Sequence, residues 1–88
     1  MGFGSDTQPM NKPGHQRWEE NPSEEWMYAL EHMNTGQYQL AIKHCRRAIA
    51  IWPDYYNAWL LMASAHEKLD QLDEALEAVQ RASEIAIE

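Results

Sequence analysis

The chain has 88 residues, enough for one small domain, and carries 7 Lys and Arg against 14 Asp and Glu, a net charge of −7. That acidic balance, with a pI near 4.9, disfavours nucleic acid and anionic membrane surfaces, both of which reward clustered cations. Apolar runs such as 48–52 are too short to span a bilayer, and residues 1–20 lack the apolar stretch of a secretory signal; the single Cys45 fits a reducing compartment, so the cytoplasm is the expected location.

Residues 1–20 mix Gly, Pro, Ser, Thr, Gln and Asn with few apolar side chains, which predicts a disordered N-terminal tail. Order is expected from Asn21-Pro22-Ser23-Glu24. Asn21 can cap, Pro22 suits a first helical position, and Glu24 completes a capping-box-like arrangement. Trp26, Ala29, Leu30 and Met33 then recur at helical spacing until Asn34-Thr35-Gly36, where Gly36 can turn left-handed. A second helix is expected over 37–51, with Tyr38, Ala41, Ile42, Cys45, Ala48, Ile49 and Trp52 along one side. Pro53 ends it and Asp54 is the expected cap of the next helix.

The third helix, over 55–69, contains the consecutive apolar residues Trp59, Leu60, Leu61 and Met62, which would point around nearly the whole circumference. Trp59, Leu61 and Met62 are expected in the core, leaving Leu60 outside. After a turn at Asp70-Gln71, a fourth helix runs from 72 to the C-terminus with Leu72, Ala75, Leu76, Val79, Ala82 and Ile85 as its apolar face. Sustained strand-like alternation is absent, so the domain is all-α with short connections and antiparallel neighbours.

Sliding the chain against itself by 34 residues superimposes the first pair of helices on the second. Ala29 meets Ala63, His32 meets His66, Gln37 meets Gln71, Ala41 meets Ala75, Arg47 meets Arg81 and Ala48 meets Ala82. Tyr38 with Leu72, Ile42 with Leu76 and Cys45 with Val79 are conservative pairs. A helix–turn–helix unit of this period resembles the tetratricopeptide repeat family. In the second unit Trp59, Met62, Ala63, Leu72, Ala75, Leu76, Val79 and Ala82 carry the resemblance, with His66 where Tyr is commoner and Asp70 in place of the turn Gly. The first unit matches through Ala29, Gly36, Tyr38, Ala41, Ile42, Ala48 and Pro53; Glu25 stands where Trp is usual, and Trp26 follows it. The organisation read from this is a tail over 1–20 and a two-repeat domain over 21–88, repeat one 22–55 and repeat two 56–88. Ile87 holds the place of a terminal Pro, so no further repeat is signalled.

The resemblance implies a concave groove lined by the first helix of each unit. Its positions here are Trp26, Leu30 and Met33, extending to Ser23 and Asn34, and then Asn57, Leu60, Ser64, Glu67 and Lys68. An exposed apolar patch with Trp in it suits a protein partner, either an amphipathic helix or an apolar peptide segment. The alternative is a homo-oligomeric scaffold whose groove and C-terminal helix are used in self-assembly, because two repeats are few for a solenoid. The clamp by which some family members hold a terminal carboxylate is disfavoured, since Trp26 and Leu30 occupy its first-unit positions. Lys43, Arg46 and Arg47 form the chain's basic cluster, a possible docking patch weighed against an ordinary solvated face. His32, His66 and Cys45 sit at packing positions without ligand spacing, so no metal or cofactor is expected. Nor does any nucleophile–base arrangement suggest an enzyme.

Overall fold

The computed structural model describes residues 21–87; the tail expected over 1–20 lies outside them. Helix α1 is Pro22–Asn34, α2 Tyr38–Ile51, α3 Tyr56–Lys68 and α4 Leu72–Ile87, and no strand occurs among the described residues. This is the all-α, paired-helix architecture expected, with element ends within about two residues of those read from the pattern.

Local chemistry accounts for the ends. The Asn21 side chain accepts a hydrogen bond from the Ser23 amide at 2.9 Å, and Pro22 opens α1 without wasting a donor. Gly36 adopts φ 77°, and a Cβ there would meet nothing within 4 Å, so the position selects glycine through its backbone angle alone. Asp70 adopts φ 63° at the equivalent turn, which Asp tolerates better than most residues with a Cβ. Each of these turns is closed by the same device. The Gln37 amide donates to the His32 carbonyl and the Gln71 amide to the His66 carbonyl, both at 2.8 Å. The paired side chains meet again, His32 Nδ1 with Gln37 Oε1 and His66 Nδ1 with Gln71 Oε1, both at 2.7 Å. The His that replaces a bulky aromatic is therefore a turn clasp as well as a packing group.

The link between the units departs from expectation. Asp54 does not cap α3: Tyr55 is the capping residue and makes no side-chain cap hydrogen bond. Asp54 instead accepts from the Arg81 guanidinium at 3.3 Å, tying the 52–55 connection to α4. Trp59 secures the same connection by donating its indole N–H to the Pro53 carbonyl at 2.8 Å.

The core is a seam of small side chains. Ala29, Ala41, Ala48, Ala58 and Ala65 are fully buried, and Cys45 is the largest side chain buried to that degree. Such residues let helix backbones approach closely, and larger groups close the seam from its sides. One cluster gathers Ala29, Ala41, Ile42 and Cys45 of unit one with Met62, Ala63, Ala65 and Ala78 of unit two. A second joins Ala48, Tyr55 and Ala58, with Trp26 and Ile49 packed against it. Trp59 and Leu61 pack on the first cluster, as expected of that apolar run, and Leu60 remains exposed. With so little volume per buried side chain, a domain of this size has a net stability of only about 3–5 kcal/mol.

Candidate functional site

The 34-residue register assigns every position of the α3–α4 hairpin a counterpart in α1–α2, and the two differ in cover. In unit one, Ile42 is 8% exposed and Cys45 0%; their counterparts Leu76 and Val79 are 58% and 43% exposed. Tyr38 and Met33 pack against the core, whereas their counterparts Leu72 and Glu67 are exposed. The difference is the presence of α3, whose Ala58, Met62 and Ala65, with the preceding Tyr55, are buried in the clusters that join the units. Beyond α4 the described residues offer no such helix. A groove of about 470 Å³ is left, lined by Leu60, Ala63, Ser64 and Glu67 of α3 and by Leu72, Ala75, Leu76 and Val79 of α4. The apolar face expected of α4 is thus split: Ala82 is buried inward, while Leu72, Leu76 and Val79 look out.

The residues expected to line one continuous groove do not share one environment. Leu60, Ser64 and Glu67 line the α3–α4 groove. Leu30, Ser23 and Asn34 line a separate hollow on α1 with Met27, Tyr28 and Glu31. Asn57 and Lys68 are exposed but line neither. Met33 is packed on the main core. Trp26 is half-buried against Ala48, Tyr55 and Ala58, and its indole Nε1 is wholly buried without a hydrogen-bond partner. An orphaned buried donor costs on the order of 1–3 kcal/mol, so Trp26 is held there by the packing that joins the units. Leu72, Leu76 and Val79 were missed as surface groups because their spacing is that of a buried face.

The basic cluster lies elsewhere. Lys43, Arg46 and Arg47 border a cavity of about 570 Å³ floored by Ile42, Leu69 and the nearly buried His66. Arg46 also borders a hollow with the acidic Glu74 and Glu77 of α4, without an ion pair to either. His44 of α2 is partly buried. It bonds Glu25 at 2.9 Å, and its ring stacks on His32 at 5.2 Å between centroids. No group of three or more His, Cys, Asp or Glu capable of holding a metal occurs among the described residues. Cys45 lacks nucleophilic character, since burial pushes its thiol from 9.0 up to about 12 and the reactive thiolate is suppressed. No helix among the described residues is long and apolar enough to cross a membrane.

Residues 33–86 match the sequence profile of the tetratricopeptide repeat family. The chain is also similar to Superkiller complex protein 3 of Homo sapiens, 32% identical over 57 residues, which cover 65% of this chain and 4% of that protein. The chain therefore spans a small fraction of that relative's length. No solved structure matches it.

Proposed function

The chain belongs to the tetratricopeptide repeat family, and from that premise we propose that it binds an amphipathic helix on the open α3–α4 face. Family members are typically non-catalytic modules for protein–protein interaction. The observation that carries the reading is the exposed row of Leu60, Leu72, Leu76 and Val79 in a groove whose unit-one counterpart is covered by a helix. Contiguous apolar surface of this kind marks an interaction site, and a helix laid in a groove supplies its own satisfied backbone. The site inherits Leu60, Ser64 and Glu67 from the groove read in the sequence and moves its centre from Trp26 to α4.

The cations of α2 line a different cavity and serve in this reading as a solvated face. Binding is then insensitive to salt between low and physiological ionic strength. The test is a panel of helical peptides selected on the full chain and re-measured on Leu76→Glu. Because Leu76 is mostly exposed, the variant keeps its fold while the groove gains a charge. Loss of about tenfold or more in affinity, at unchanged melting temperature, is expected; selected peptides that bind both proteins equally would overturn the site. Self-assembly through the same face is the rival reading. A mass that rises with concentration in the parent chain and falls back to monomer in Leu76→Glu would favour it.

A further inference from the structure

The cavity of about 570 Å³ between α2 and the α3–α4 turn shares no residue with the α3–α4 groove. Lys43, Arg46 and Arg47 stand on its rim, all exposed, beside the apolar Ile42, Ala50 and Leu69. Lys43 precedes Arg46 and Arg47 by three and four residues, the spacing at which like charges on a helix repel. None of the three makes an ion pair among the described residues, although the chain carries 14 Asp and Glu against 7 Lys and Arg. An acidic chain thus keeps three cations together and leaves them unneutralised.

The repeat does not demand this arrangement. At the same register in α4, Lys43, Arg46 and Ala50 become Glu77, Gln80 and Glu84, and of these four positions only Arg47 keeps its type, as Arg81. Arg81 is neutralised twice, by Glu84 at 3.2 Å and by Asp54 at 3.3 Å. Arg47 has Ala50 where Arg81 has Glu84, so a methyl group lines the cavity where a pairing carboxylate would stand. The nearly buried His66, joined to Gln71 at 2.7 Å, fixes the opposite wall. An apolar hollow of roughly 300–1,000 Å³ with a few convergent polar groups is the usual form of a small-ligand site.

We propose that this cavity binds a small organic phosphate, its phosphate monoester on Lys43, Arg46 and Arg47 and its apolar body against Ile42, Ala50 and Leu69. Two guanidinium forks and an ammonium match a head of about −1.5 to −2 charge with three acceptor oxygens, and exceed what a single carboxylate can neutralise. The apolar lining selects the body, because covering it adds a hydrophobic gain that inorganic phosphate lacks. The site is separate from helix docking on the α3–α4 face, and either can fail without the other.

Calorimetric titration of the full chain with hexyl phosphate, inorganic phosphate, hexanol and hexanoate tests it. Hexyl phosphate is expected to bind at least about tenfold more tightly than each of the others, and to weaken as salt rises. Equal affinity for hexanoate overturns the doubly charged head, and equal affinity for inorganic phosphate overturns the apolar body. The double variant Arg46→Gln, Arg47→Gln alters only exposed side chains and should lose about tenfold or more at unchanged melting temperature. Ala50→Glu, which gives Arg47 the partner that Arg81 has, should weaken binding likewise, whereas Leu76→Glu should leave it unchanged. Binding abolished by Leu76→Glu and spared by the double variant would put the ligand on the α3–α4 face and overturn the site. Capture on phosphatidic acid vesicles without binding of hexyl phosphate would make a membrane the source of the phosphate and overturn a small ligand. Self-association that the double variant abolishes and hexyl phosphate does not displace would make a second copy the occupant, with the same consequence.

Discussion

Helices α2 and α4 are nearly the same helix written twice, yet one is interior and the other is surface. Ile42 and Leu76, or Cys45 and Val79, are alike in hydrophobicity and identical in register; what separates them is whether a further described helix packs on them. Burial in a stacked architecture is therefore a property of place in the stack before it is a property of residue type. An apolar pattern in such a chain says that a side chain suits an interface, not that the interface is filled.

The sharpest way to break the comparison is to give α3 the chemistry of α1. Ala65→Glu places a carboxylate at a fully buried position, and its cost of roughly 3 kcal/mol or more consumes most of the domain's stability. Loss of the cooperative transition by circular dichroism is expected, whereas Glu31→Ala on exposed α1 should change the melting temperature little.

A milder contrast pairs counterparts directly. Ile42→Ala should cost about 2–4 kcal/mol in urea unfolding, and Leu76→Ala below about 1 kcal/mol, because only the first removes buried contacts. Equal costs would mean that α4's outer face is covered in solution.

The third contrast uses thiols. Cys45 resists alkylation in the native state, whereas a Val79→Cys substitution creates an exposed thiol at the same register. Mass spectrometry should find one adduct on native Val79→Cys and two in denaturant. Because burial raises the Cys45 pKa from 9.0 to about 12, the folded state keeps a proton that the unfolded chain releases. Its contribution is whole below pH 9 and declines as pH rises toward 12.

The smallest effects belong to the turns. Asp70→Gly should raise stability by up to about 1 kcal/mol by relieving a left-handed residue that bears a Cβ, and Gly36→Ala should lower it by a similar amount. Reversal of either sign would show that the two turns are not equivalent.

Much of this was legible in the residues. The alanines at 29, 41, 48, 63, 75 and 82 recur because helix approach demands them, so the register could be read directly. Gly36 and Asp70 announced their turns by conformational preference. What could not be read was occupancy. Trp26 looked like a groove residue because nothing local tells an indole pressed between units from one facing a partner. Leu72, Leu76 and Val79 looked like core because their spacing is that of core. Asp54 looked like a cap, and its ion pair with Arg81, 27 residues away, is invisible to local pattern. The contacts of His44 with Glu25 and His32, which α1 brings to it, are equally invisible to local pattern.

The tryptophans of the described residues sit in three unlike surroundings, and this gives the protein a set of internal optical gauges. Trp26 has its indole N–H sealed away from water, Trp52 is half in solvent and stacked on Tyr55, and Trp59 lies under the Arg81 guanidinium with its N–H on a carbonyl. Trp26 straddles the junction between the units, so the blue edge of the emission spectrum reports whether the two hairpins are seated on each other. Loosening of that junction shifts the colour toward red before the helices themselves melt.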